Sequence, residues 1–208
     1  MRHVPVRLAI LLLTCFLNAA CVGNAIVKPT YNADPTLKSR LQTLQPMTIA
    51  LLIDDLRTSE ERDSVGQRRH GYGGVLAQVI SDKPVTSVFY EALSAELKNS
   101  GHTVVSVPSD SNSRTIKVGV KRFWTENQMN FWDITMSGTA AADVVIQDQK
   151  TGTTIITRPI TGTADESRQF AGEAAFQDAL NLALREFVRS FARDSEVIKA
   201  LREPTASQ

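Results

Sequence analysis

The residues in this chain whose types could carry chemistry are few: two cysteines, three histidines, and carboxylate pairs at Asp54–Asp55 and Glu60–Glu61. Thiol chemistry is decided by position. Arg2 and Arg7 precede an apolar run from Leu8 to Leu17, followed by Asn18, Ala19, Ala20 and Cys21. That run has about ten residues where about 20 are needed to span a bilayer, so it reads as the apolar region of an export signal. Two small residues directly before a cysteine look like a bacterial lipobox, in which Cys21 receives a diacylglycerol and the new amino terminus a further acyl chain. Asn18 departs from the apolar residue usual at its position. Two other processing readings compete. In one, Cys15 is the lipid site after a much shorter apolar run. In the other, an ordinary peptidase cuts after Ala25, because Gly23 and Ala25 satisfy the small-x-small rule. With Cys21 lipidated, neither catalysis by thiol nor an intrachain disulfide is open to the mature chain.

His3 leaves with the signal, so His70 and His102 are the remaining imidazoles. His102 follows Gly101 at an expected helix end and reads as a C-terminal polar residue of that helix. No H-E-x-x-H spacing suggests zinc and no G-x-S-x-G suggests a serine hydrolase. No metal or cofactor is expected. Asp54 and Asp55 would be the acid pair of a hydrolase; adjacent carboxylates in a charged loop are more often solvated. The stretch Gly66 to Gly74 is glycine-rich and carries Arg68, Arg69 and His70, a pattern in which consecutive amides and two guanidinium groups could hold an anion. The competing reading is a plain hairpin connection. A second candidate is the tip bracketed by Phe123–Trp124 and Phe131–Trp132. Strand parity sends Trp124 and Trp132 to the core and leaves Phe123 and Phe131 on the wet side, as a contact for a partner or a headgroup layer.

These groups need elements to position them. Met47 to Ile53 is a short apolar run suited to a buried strand, followed by a polar loop from Arg57 to Gly74 and a second strand over Val75 to Ser81. Val85, Val88, Phe89, Ala92, Leu93 and Leu97 make one face of a helix that starts after Pro84 and stops before Gly101. Ile116, Val118 and Val120 alternate with polar neighbours. The even positions from Trp132 to Ile146 do the same over a longer strand. Thr153 to Thr163 returns as a strand in which Pro159 requires an edge or a bulge. Phe176, Leu180, Ala183, Leu184, Phe187, Val188 and Phe191 form the strongest helical stripe, and Val197, Ile198 and Leu201 suit a short last helix. The fold class is α+β: a two-layer sandwich of mainly antiparallel sheet with two amphipathic helices on one face.

The chain divides into a signal over residues 1–20, a lipidated N-terminus and extended tether over 21–46, one domain over 47–203, and a polar tail over 204–208. Leu37, Leu41 and Leu44 allow one helical turn, but Pro29, Pro35 and Pro46 favour a spacer. A balance of 23 basic against 22 acidic residues gives no footprint for nucleic acid. Losing Arg2 and Arg7 with the signal moves the formal charge from +1 to −1.

Several features together resemble the YajG-type family of uncharacterised bacterial lipoproteins. They are the apolar strand ending near Asp55 and Arg57, the loop with Gly66 and Arg68, the helix ending in Gly101, the strand from Ala140 to Ile146, and the segment DALNLALREFVRSFARDSEVIKALRE. The resemblance implies an envelope lipoprotein of unassigned role, with an architecture loosely like auxiliary lipoproteins of envelope transporters. Val22 after Cys21, in place of an Asp that would retain it at the inner membrane, points to the periplasmic face of the outer membrane. The expected function is a non-enzymatic binding or adaptor domain whose partners are membrane lipid, through the acylated N-terminus, and an envelope protein. The alternatives are an envelope hydrolase using Asp54 and Asp55, and a transporter auxiliary subunit.

Overall fold

A strand with one apolar face and a helix with one apolar stripe must each bury that side, and here they bury them against each other. The structure is a computed structural model that describes residues 23–33, 37–109 and 114–202. Cys21, the signal and the polar tail from 204 lie outside the described residues. The strands are β1 (Ala25–Val27), β2 (Thr48–Asp55), β3 (Gly66–Arg69), β4 (Val75–Ser81), β5 (Thr103–Val105), β6 (Arg114–Met129), β7 (Ile134–Asp148) and β8 (Thr154–Arg168). The helices are α1 (Ser59–Arg62), α2 (Val85–Asn99), α3 (Glu173–Arg193) and α4 (Ser195–Arg202), with a 3-10 turn at Arg40–Thr43. The fold is mixed α+β. The two long helices and the short last helix α4 fall where expected, and α1 brings the described helices to four, against the two of the expected sandwich.

All eight strands described join one open sheet. One edge of β6 pairs antiparallel with β7 along its whole length, from Arg114↔Asp148 to Met129↔Ile134. The other edge is shared. Its first half pairs parallel with β2, which in turn carries β5; its second half pairs parallel with β3 at Gly66↔Thr125 and Gln67↔Glu126, and β3 carries β4 and β1. β8 lies outside β7 at the sheet's edge, where Pro159 costs no ladder bond.

Both long helices cover one face. Phe89 of α2 stacks edge-on against Phe123 of β6 at 5.5 Å and against Phe187 of α3 at 5.1 Å. α3 comes down so closely that a Cβ on Gly138 would lie 2.2 Å from the Ala179 carbonyl, and one on Gly162 would lie 2.1 Å from the Phe187 amide. Only glycine admits that approach. The apolar stripe expected for α3 is buried throughout, as are Val197, Ile198 and Leu201 of α4. Asp194 ends α3 and caps α4, its Oδ1 accepting the amides of Glu196 (2.8 Å) and Val197 (3.0 Å).

The expected parity fails at one point in β6. The register shifts between Val120 and Arg122, so Lys121 is an extra, outward residue of a β-bulge. Before it, Ile116, Val118 and Val120 face the helices; after it, Phe123, Thr125 and Asn127 do. Phe123 is therefore 0% exposed, and the expectation of a surface contact there is wrong. Trp124 turns to the opposite face, where it is still covered, with the Arg122 guanidinium 5.7 Å from its ring centroid. Trp132 also departs from expectation, because it sits in the turn between β6 and β7 and not in β7 itself.

The tether is the second correction. β1 adds to the sheet beside β4, parallel, with Ala25↔Val79 and Val27↔Ser81, and Ala25 and Val27 are buried. The amides of Lys28 and Thr30 then donate to Gln177 Oε1 (3.0 Å) and Asn181 Oδ1 (2.8 Å) on α3. Farther on, Tyr31 Oη donates to Glu96 Oε2 at 3.2 Å, and Ser100 Oγ bridges to Ser39 Oγ at 3.2 Å. Leu41 and Leu44 are in the core. The domain thus begins near Asn24, not at residue 47. His102 follows the end of α2 as expected, and it is buried beneath this segment, Nε2 lying 3.3 Å from the Leu41 carbonyl.

Two measurements follow from this packing. Phe123→Ala should cost about 3–5 kcal/mol in urea unfolding, whereas Phe131→Ala should stay within about 0.5 kcal/mol. Burial pushes the His102 imidazole below its usual pKa, and the Leu41 carbonyl offsets only part of that. The folded state then takes up this proton less readily than the unfolded one. Stability should be full above about pH 6.5 and fall as pH drops through the depressed folded value. His102→Gln should flatten that part of a melting-temperature profile.

Candidate functional site

Two clefts among the described residues bring together charged residues that the sequence singles out, and they differ in how much of that charge is already committed. The first is a cleft of about 510 Å³ bordered by Asp55, Arg57, Arg62, Asp63, Asp82 and Lys83. Arg57, just beyond β2, is buried. Its Nε donates to Asp55 Oδ1 at 2.9 Å and its Nη2 to Asp55 Oδ2 at 2.8 Å, a bidentate pair. The remaining hydrogens reach the carbonyls of Glu61 and Ser64, each at 2.8 Å, and of Arg62 at 3.2 Å. The side chain therefore acts as a clamp that winds the segment after β2 around itself. That segment, expected to be one polar loop, contains α1 and β3.

Burial raises the Asp55 pKa, but the hydrogen bonds and charge of Arg57 outweigh it and hold the carboxyl below its ordinary value. An ionised, paired Asp55 is no proton donor at neutral pH. Asp54 points the other way along the strand and is exposed. The acid pair a hydrolase would need is therefore not assembled, and His70 lines a different cleft.

The second place is where two hairpins end side by side. β3 runs parallel to β6, so the β3–β4 turn lies beside the β6–β7 turn. Asn127 ties them, its Oδ1 accepting the Arg69 amide at 2.8 Å and its Nδ2 donating to the Arg69 carbonyl at 2.9 Å. Between them is a cleft of about 470 Å³ lined by Arg69, His70, Glu126, Gln128, Thr135 and Asp165, among others.

The anion-binding reading of the glycine-rich stretch loses Arg69 and three of its amides to internal bonds. Arg69 is committed to Glu126 (3.2 Å), the Gly73 carbonyl (2.9 Å) and Gln67 Oε1 (2.9 Å). The turn amides are used internally: His70 N–H to the Gly74 carbonyl, Gly73 N–H to the His70 carbonyl, and Tyr72 N–H to His70 Nδ1. Arg68 lies in β3, paired with Ala77 of β4. What this hairpin offers to solvent is Tyr72, 100% exposed.

The neighbouring turn makes a similar offer. The Asn130 amide donates to the Asp133 carbonyl at 2.8 Å, and Asn130 Nδ2 to Asp133 Oδ1 at 2.9 Å and Thr135 Oγ1 at 3.0 Å. The Asn130 hydrogen bond, with a second from Ser167, keeps the Asp133 carboxyl below its usual pKa, so the brace stays ionised at neutral pH. Phe131 and Trp132 occupy the middle of this braced turn, 86% and 87% exposed, packed edge-to-face at 4.6 Å. Of the two phenylalanines expected at the tip, the structure places Phe131 there; the partner missed from sequence is Trp132. Among the described residues no group of three His, Cys, Asp or Glu side chains is placed to hold a metal ion, and no helix is long and apolar enough to cross a membrane.

A family model described as an uncharacterized lipoprotein matches residues 35–202. Among solved structures, a Xanthomonas campestris protein of family-model DUF330 is similar with a TM-score of 0.61 at 14% identity, covering 84% of this chain and 95% of that one. That likeness shows a shared fold. A minor lipoprotein from Acinetobacter baumannii has a TM-score of 0.39 at 13% identity over 79% of this chain and 99% of its own. A lipoprotein from Neisseria meningitidis has 0.32 at 11%, over 63% and 90%. No curated protein matches the sequence.

The two kinds of charge pair should separate on mutation. Arg57→Met leaves Asp55 and three carbonyls without their donor, and should cost about 3 kcal/mol in chemical denaturation. Arg122→Met removes a half-exposed pair with Glu61 and should cost about 1 kcal/mol or less. Because the Asp55 pKa is lowered, the difference between Arg57→Met and the parent should be full above about pH 4 and shrink as pH falls below it.

Proposed function

This chain belongs to the Lipoprotein_16 family of uncharacterized lipoproteins, and from that premise we propose that it is an envelope lipoprotein held to the membrane by acyl chains on Cys21. It serves there as a non-enzymatic binding or adaptor domain, on the periplasmic face of the outer membrane by the Val22 criterion. The observation that carries the reading is the contrast at the surface. Asp55 and Arg69, which a catalytic or anion-binding site would need free, are engaged with neighbouring groups, whereas aromatic side chains on braced turns stand in solvent. Exposed apolar groups on braced turns favour docking over chemistry.

The described residues also favour Cys21 over the competing cut after Ala25. That cut would remove the first residue of β1, buried and paired with Val79, together with Asn24, whose Oδ1 accepts the Gln78 amide at 3.2 Å. A cut before Cys21 leaves both in place.

Mass spectrometry of the mature N-terminus tests the anchor. A peptide beginning at Cys21 and carrying acyl chains is expected; an unmodified peptide beginning at Ile26 would overturn it. A photoreactive residue in place of Asp82, exposed at the Arg57 cleft, tests the adaptor role. A discrete crosslinked envelope protein is expected, one from the inner membrane would identify a transporter auxiliary, and no crosslink would remove the cleft as the docking place.

A further inference from the structure

We propose that the hairpin end of the domain is a bilayer-contacting surface, with Tyr72, Phe131, Trp132 and Phe170 seated in the interfacial layer of the membrane that carries the anchor. The strand directions place these residues together. β6 and β7 meet at Phe131 and Trp132. β3 is parallel to β6, so its turn to β4, with Tyr72, points the same way. β8 is antiparallel to β7 and pairs Arg168 with Ile134, so it finishes at that same end, and Phe170, 83% exposed, follows two residues later.

The chain's own N-terminal side arrives there too. β1 is parallel to β4, and β4 starts at the hairpin turn with Val75 and Leu76, both exposed. Followed backwards from Ala25, the chain passes Asn24, held to Gln78, and heads along β4 toward that turn. Gly23 is the first described residue, and Cys21 is two residues before it, a reach of at most about 7 Å. β1 is separated from β6 by β4 and β3, which sets it about 14 Å from the β6–β7 hairpin at the usual strand spacing.

The inference rests on the anchor reading. Acyl chains fix Cys21 at the membrane surface. With the former tether folded into the sheet, a link this short keeps the hairpin end close to that surface, and the aromatic groups there favour the orientation that buries them. The groups found there suit the location. Tyr and Trp concentrate at membrane interfaces because their rings are apolar with one polar handle. The turns that present Tyr72, Phe131 and Trp132 are braced by Asn130–Asp133 and by the His70 and Gly73 amide bonds, so little loop freedom remains to be lost on docking. At this end Arg69 is paired with Glu126 and Arg168 with Glu166 and Asp178, and Asp133 and Asp165 add negative charge, so there is no basic patch of the kind that anionic lipids attract and contact should be apolar and indifferent to salt.

Trp132 reports on this directly, since the only other tryptophan, Trp124, is buried. The mature protein is purified from membranes, the mass of its N-terminal peptide is recorded, and the protein is reconstituted into phosphatidylcholine vesicles with bromine at defined acyl-chain depths. Trp132 emission should fall severalfold, most with bromines nearest the headgroups. The fall should be the same at low and high salt and absent in Trp132→Phe. Emission unaffected by brominated lipid, and quenched by aqueous acrylamide as fully as in detergent-free solution, would overturn the proposal. If the peptide proves unmodified, the anchor reading fails separately. The same vesicle measurement is then made on a chain beginning at Cys21 and coupled, through that sole thiol, to a maleimide-headgroup lipid. Quenching there upholds the surface, and its absence overturns it.

Discussion

Strand β6 has to satisfy three neighbours with two edges, and most of the molecule's shape follows from how it does so. Its continuous edge is given to β7. Its other edge must serve β2 first and β3 afterwards, two parallel partners that arrive from different connections. A regular strand would keep one set of side chains on the helix face throughout. The bulge at Lys121 changes that set midway: it adds local twist, turns Phe123 inward to meet Phe89, and sends Trp124 and Arg122 outward beneath α1. The face that β6 turns to the helices is therefore set, past its midpoint, by a single inserted residue. Lys121 itself is outward, where it pairs with Asp143 at 2.6 Å. That exposed pair contributes little energy; the residue's weight is in the register.

The polar clamps serve the same scaffold. Arg57 collects one carboxylate and three carbonyls from the turn after β2, so a segment with almost no apolar residues is still ordered. Arg114, at the start of β6, does the equivalent at the opposite end, pairing with Asp148 at 3.1 Å and reaching the Ala200 carbonyl at 3.3 Å to hold the end of α4. Both are arginines whose donors fan out over several acceptors, a task that a lysine's compact charge fits poorly. Charge in this protein is largely spent on holding loops.

How much of this was legible in the sequence depends on how local each cause is. The α3 stripe, the α2 helix between Pro84 and Gly101, the alternation of β7 and the edge placement of Pro159 all follow from spacings within one element. The bulge does not, because the signal for it is a parity change between Val120 and Phe123, and an unbroken count passes over it. That one slip misplaced Phe123. The turn at Asn130–Asp133 hid Trp132 for the same reason: its residues continue the strand's numbering but not its geometry. β1 has only three residues, too few for a period to show, and its evidence is the partner strand β4, about fifty residues on. Arg57 and Asp55 stand two apart, yet nothing local announces that the carbonyls of Glu61, Arg62 and Ser64 will close around the guanidinium. The aromatic end was half visible as a composition, Phe–Trp twice and Tyr among glycines, but its unity comes from three strand directions that only pairing can supply.

The misread tether changes the physical picture most. A spacer of two dozen residues would let a domain tumble far from its anchor, presenting any surface to any partner. Once β1 is in the sheet, and residues 28 to 31 are bonded to α3 and α2, almost none of that freedom survives. Under the Cys21 reading, the domain and the bilayer then behave as a nearly rigid pair, and the surfaces divide by geometry. In that arrangement the hairpin end would face lipid, and the far end, where β2 begins, β5 pairs with it and α4 is tied to β6 by Arg114, would face away from it. A soluble or cross-envelope partner would then meet that far end and the flanks, which include the Arg57 cleft. An anchor of this kind does more than raise local concentration; it selects which face a partner can meet, and thereby restricts what an otherwise chemically quiet domain can bind.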